Sequence, residues 1–274
     1  MRCQTTMGTH ACVMRDTEDP LCRTVVQRGV LSGLVFYLDE DALNDVSFFG
    51  AERRAFPNAF QPIQAAPDDA IWLETSIDDE LDVESSRRLL LSYDESHQPV
   101  TVNGATRVVI HDMLPPQPSH PISNLFTQWG TTSALEQPMP LHHERGGYWC
   151  NITDVANAVV AMVKCIDKLP PLMHVSGRRY WSLEATKKEF DNLYDRSVAG
   201  QQGRFEPRHL TAAASPEIQV VSLDAPPLQP ERPDLSILNT FLQECQGEGW
   251  RPSVPLRQSL MLVIAELKTG HSSV

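Results

Sequence analysis

The stretch from Tyr148 to Tyr194, YWCNITDVANAVVAMVKCIDKLPPLMHVSGRRYWSLEATKKEFDNLY, constrains the fold more than any other part of this chain. Val155, Ala158, Val159, Met162, Val163 and Ile166 recur at spacings of three and four, the apolar stripe of a helix packed on one side. Thr153 or Asp154 can accept hydrogen bonds from its first turn, and Pro170 and Pro171 forbid its continuation. Leu172 to Val175 then reads as a short strand, Ser176 and Gly177 as a turn, and Ser182 as the cap of a second helix reaching to about Tyr194.

The rest of the chain carries the same rhythm. His10 to Met14 predicts a strand, Pro20 to Gln27 a helix closed by Gly29, and Leu34 to Leu38 a strand of buried type, with Asp39 capping the next turn of helix. Residues 50–67 read as a loop broken by three prolines, Ala70 to Leu73 as a strand, Val83 to Tyr93 as a helix and Val108 to Ile110 as a strand. Ile122 to Trp129 predicts a helix, 195–216 an exposed polar segment and Ile218 to Leu223 a last strand. Leu235 to Cys245, closed by Gly247, and Leu256 to Leu267 predict the final helices. Strands alternating with helices in this way build a parallel sheet covered on both faces.

Ile152–Asp154–Val155–Ala156, His174–Val175–Ser176–Gly177 and Ser182 resemble a segment of the extended short-chain dehydrogenase/reductase family, in its branch of NAD-dependent epimerases, dehydratases and dTDP-4-dehydrorhamnose reductase-like enzymes. Val13–Met14–Arg15, Phe36 to Leu43 and the RPDLSILNTFLQ segment extend the resemblance to about two thirds of the chain. It implies an α/β, Rossmann-like parallel sheet with helices on both faces and a small C-terminal substrate-type lobe. In domains, it implies a degenerate core over 10–125, to which strands near 172–175 and 218–223 return, and a C-terminal lobe with closing helices over 126–274.

Against that family, the chemistry is missing. The fourteen glycines include neither GxxGxxG nor GxGxxG, the turns that let a backbone approach a pyrophosphate. Aligning Arg15 with the family's second strand leaves a sheet truncated at its N-terminal edge, with the first strand lost or supplied from upstream. No Tyr stands four residues before a Lys, the pair that moves a proton at the substrate carbonyl. Val83 and Arg87 fall on those places if Val83–Arg87 is the remnant motif, so no catalytic residue is assigned. Asp39 reads as a helix cap. Arg15 is the one cofactor-binding candidate, at a place where the family can take the 2′-phosphate of NADP, with a solvated strand-end arginine as the plainer reading. Trp149, Arg178 and Tyr180 fall in the substrate-type lobe, where stacking on a sugar or pairing with a diphosphate competes with core packing and an exposed turn.

Composition removes other classes. A formal charge of −12 without a basic run excludes wrapping of nucleic acid. The six cysteines form no CxxC pair, no apolar run reaches the ~18 residues that a membrane span needs, and His142–His143–Glu144 lacks metal-ligand spacing, so no metal, no membrane and a cytoplasmic setting are expected. The expectation is therefore a pseudoenzyme, a non-catalytic binding or regulatory subunit with no cofactor, or NADP if any. Its partner would be another protein chain or a second copy, its ligand nucleotide-sugar-like. The alternative is an NAD(P)-dependent oxidoreductase or epimerase using atypical groups such as Arg87 and Tyr93.

Overall fold

The computed structural model describes residues 10–75, 87–93, 105–118, 120–134, 146–210 and 231–270. The chain divides into two units, the first made of Met1–Ile110, Val155–Val175 and Asp234–Trp250, the second of His111–Asp154, Ser176–Pro233 and Arg251–Val274.

The first unit is built on a seven-stranded sheet. Its strands are β1 (Ala11–Met14), β2 (Val35–Leu38), β3 (Phe60–Pro62), β4 (Ile71–Glu74), β5 (Arg88–Ser92), β6 (Ala105–Ile110) and β9 (Leu172–Val175). They lie in the order β3-β2-β1-β4-β5-β6-β9, every neighbouring pair parallel. The expected Rossmann-like class stands, and the expected truncation does not. The strand at Ala11–Met14 lies between β2 and β4, where the order reverses, so the place reserved for a missing strand is already filled. The strand followed by Arg15 is the first of the fold, and Phe36 to Asp39 closes the second.

Helices α1 (Pro20–Leu31), α2 (Glu40–Asn44) and α3 (Val46–Ala55) make the connections from β1 to β2 and from β2 to β3. Helix α1 runs through Gly29 and ends at Ser32, with Gly33 at φ 84° making the turn. Gly29 serves packing instead, since a Cβ there would lie 2.5 Å from the Phe36 ring. The 50–67 segment holds the end of α3 and the edge strand β3, whose Pro62 needs no ladder partner at an edge. The segment expected as a helix up to Tyr93 contains β5 instead. Leu89, Leu90 and Leu91 are buried in succession, as a strand covered on both faces requires, while 83–86 lie outside the described residues. The strand expected at 218–223 also lies outside them. Helix α7 (Ser236–Gln246) packs beside β9 and ends at Gly247, φ 81°.

The second unit gathers α4 (Pro121–Ala134), α6 (Leu183–Gln201) and α8 (Leu256–Gly270) beside a short parallel pair, β7 (Met113–Leu114) and β8 (Cys150–Asn151). Phe126, Trp129 and Phe190 meet edge to face or tilted at centroid distances of 5.1 to 5.9 Å, and Leu193, Leu260, Val263 and Ile264 close the core around them. Helix α5 (Ile152–Lys164) starts at the division between the units, and its cap is Asn151, whose Oδ1 accepts from the Thr153 amide. Asp154, expected to cap, instead takes the Ser253 amide and hydroxyl and the Val254 amide. Ser182 caps α6 as expected, accepting from the Ala185 amide, and the helix runs on to Gln201 because Leu193 and Ala199 remain buried.

Candidate functional site

In a doubly wound sheet a ligand binds beyond the carboxyl ends of the strands, where the strand order reverses, with its phosphates on the helix after the first strand. Here that place is the turn from β1 to α1, Arg15–Asp16–Thr17–Glu18–Asp19, without a glycine. The free amides opening α1 are the groups that would hold a phosphate. Asp19 holds them instead, its Oδ1 accepting from the Leu21 amide at 2.7 Å and the Cys22 amide at 3.0 Å. Pro20 removes a further donor. At the end of β5 the Tyr93 hydroxyl donates to the same carboxylate, 3.0 Å from each oxygen. Asp16 accepts from the amide and hydroxyl of Thr75 at the end of β4, at 2.7 and 2.6 Å. The turn is thus fastened by its own acids to the ends of β4 and β5.

The electrostatics follow from that composition. A helix amino terminus favours an anion by about 0.3 to 1 kcal/mol, whereas two unit charges about 4 Å apart repel by roughly 4 kcal/mol at an effective dielectric near 20. A pyrophosphate at this turn would meet Asp16, Glu18 and Asp19 and find its amide donors taken, so the residues present do not fit a dinucleotide. Below the turn, burial and the charges of Asp19 and Asp16 push the Cys22 thiol well above its ordinary range, leaving it inert.

Beside the turn, the Arg15 guanidinium lies over the Trp72 ring, 5.0 Å from its centroid. Arg88 pairs with Glu74 at 2.7 Å, both side chains nearly buried. The sequence placed Arg15 after the second strand, and the structure places it after the first. The second strand ends at Asp39, whose carboxylate caps α2 through the Ala42 amide, as expected. Glu40 and Asp41 follow in the first turn, so a phosphate on the ribose would meet three acids there. Arg87 pairs with Asp167 at 3.1 Å on an exposed surface. Among the described residues no group of three or more His, Cys, Asp or Glu could hold a metal; His142, His143 and Glu144 lie outside them.

In the second unit, Trp149 is buried, donates from Nε1 to Thr186 Oγ1 at 3.0 Å and meets the Phe126 ring. Tyr180 packs on Tyr148 with centroids 5.5 Å apart, and Arg178 is exposed. The turn at Gly177 needs glycine because its amide bonds Tyr148 O and a Cβ would fall 2.2 Å from the Trp149 carbonyl oxygen. Sequence reasoning missed the carboxylate turn, although its signal was present: a buried strand running into Asp-x-x-Asp-Pro, with a second strand ending in an acid about 20 residues later.

No family model matches the chain, and no curated protein does. Solved structures do. UDP-N-acetylglucosamine 4-epimerase from Bacillus cereus matches with a TM-score of 0.56 at 8% identity, covering 94% of this chain and 99% of that one. The fold is that of the sugar-nucleotide epimerases and reductases. The aureusimine biosynthetic cluster reductase domain matches at 0.56 and 9% identity, over 97% of this chain and 92% of that domain. RMD from Pseudomonas aeruginosa, solved with NADPH, matches at 0.52 and 12%, over 96% and 98%. This epimerase and reductase fold is therefore matched along nearly the full chain. Among the described residues no helix is long and apolar enough to cross a membrane.

Proposed function

We propose that this protein uses the sugar-nucleotide epimerase and reductase scaffold without a dinucleotide, as a non-catalytic binding or regulatory subunit in the cytoplasm. The observation that carries the reading is Asp19: one carboxylate takes the amides that open α1 and also the Tyr93 hydroxyl, so the turn is complete without a ligand. The sequence adds that no Tyr stands four residues before a Lys. The partner is another protein chain or a second copy, and any small ligand is nucleotide-sugar-like, in keeping with the names of the structural neighbours.

The test is a titration with NADPH and NADH that follows nucleotide fluorescence and melting temperature, because a ligand that binds only the folded state must raise apparent stability. Neither signal should change up to millimolar nucleotide. Saturable micromolar binding would overturn the proposal and favour an NAD(P)-dependent oxidoreductase or epimerase with Arg15 at the cofactor. In that event loss of turnover in Tyr93→Phe would assign the proton donor.

A further inference from the structure

The second unit holds a cleft of about 920 Å³ that neither its core nor the proposed function uses. One wall is built from the end of α4 and from α6, where the Ser133 hydroxyl donates to Asp191 at 2.8 Å and the Lys187 ammonium donates to both oxygens of the same carboxylate at 2.8 and 2.7 Å. The other wall is the chain that follows α6. Gly203, at φ 66°, turns it back, and the Arg204 amide closes on Ala199 O at 2.8 Å. A short 3₁₀ turn, Pro207–Leu210, comes next, and the buried side chain of His209 fastens it. The His209 Nδ1 accepts from the Glu206 amide at 2.8 Å, and Nε2 lies 3.3 Å from Asp195 Oδ2 on α6. Contacts inside the protein thus set both walls, which lowers the cost of ordering them around a ligand.

The charges along this cleft are unevenly satisfied. Lys187 pairs with Asp191, and Arg208 pairs with Glu206 at 3.1 Å. Arg204 and Asp195 line the same cleft without pairing with each other, and among the described residues the Arg204 guanidinium has no partner. Among the same residues Asp195 faces only His209. An imidazole that accepts at Nδ1 carries no proton there, so it is neutral and leaves the Asp195 charge uncompensated. Two opposite charges therefore face one cavity without touching. Tyr194 lines it as well; Phe190 stacks on its ring at 6.0 Å and the Lys268 ammonium lies 5.1 Å from the ring centroid, which leaves the hydroxyl, unbonded among the described residues. We propose that this cleft binds a free α-amino acid, with its carboxylate on Arg204, its ammonium on Asp195 and the Tyr194 hydroxyl as a further partner. A simple anion would be repelled by Asp195 and a simple cation by Arg204, while a neutral ligand would leave both charges to water; a zwitterion offers each its opposite. The volume admits any side chain, so charge sets the ligand class. The turn after β1 takes no part, and the inference stands apart from the proposed function.

The test titrates the full chain, without nucleotide, with each genetically encoded amino acid in turn, by calorimetry. At least one should bind saturably with a Kd of about 1 mM or tighter. Its N-acetyl derivative, which lacks the ammonium, and its carboxamide, which lacks the carboxylate, should each bind about 10- to 100-fold more weakly, the loss expected for one hydrogen-bonded charge. Arg204→Gln and Asp195→Asn should weaken binding by a similar factor with little change in melting temperature, because both side chains are exposed. No binding by any amino acid up to millimolar concentration, equal binding of either blocked form, or unchanged affinity in either variant would each overturn the proposal. Because nucleotide is absent from the titration, such a failure is distinct from the binding of a dinucleotide.

Discussion

The turn after β1 and the stretch from Tyr148 to Ser182 occupy opposite positions with respect to the family pattern. The stretch keeps Gly177 and Ser182, both in the second unit, and each is held by contacts inside the protein: the Gly177 amide donates to Tyr148 O, and the Ser182 hydroxyl accepts from the Ala185 amide. The turn in the first unit has no glycine of the pattern, and the amides that would face a phosphate face Asp19 instead. The difference is between residues whose partners are in the chain and residues whose partner would be a ligand. Packing positions are fixed by the fold whatever it does, whereas a ligand position can be refilled by a side chain that serves the same amides.

That contrast can be broken by substitution. The largest effect is expected in the second unit, where Trp129→Ala or Phe190→Ala should cost about 3 to 5 kcal/mol in denaturant unfolding, since both rings are fully buried in one aromatic cluster. Asp154→Ala should cost about 2 to 3 kcal/mol, because the amides of Ser253 and Val254 lose their acceptor. In the first unit Asp19→Ala should cost about 1 to 2 kcal/mol as a lost cap and Tyr93→Phe about 1 kcal/mol. The double variant should cost less than the sum, since the two share a hydrogen bond. A full sum would mean that Tyr93 does not rest on Asp19. Arg87→Ala, which breaks an exposed pair with Asp167, should stay within about 0.5 kcal/mol.

The sequence made legible whatever depends on periodicity and caps. The α5 stripe, the Ser182 cap, the Asp39 cap and the Gly247 terminus all stand where local rules put them. The helix expected up to Tyr93 failed because Leu89, Leu90 and Leu91 are compatible with either a buried helix face or a two-sided strand, and only the neighbours β4 and β6 decide. Edge strand β3 was hidden by Pro57 and Pro62, which mark a loop unless the strand lies at an edge. The turn at Arg15–Asp19 was legible as a helix start and illegible as a phosphate turn. A motif search looks for glycines, and the information that this turn follows the first strand lies in the sheet order.

The most direct measurement of the closed turn is the phosphorus NMR spectrum of NADPH with increasing protein. If Asp19 and Tyr93 fill the turn, the two pyrophosphate resonances will neither shift nor broaden at millimolar nucleotide. Saturable shift or broadening of the pyrophosphate resonances would mean that the turn opens for a dinucleotide, and would contradict the reading of this chain as a scaffold that works without one.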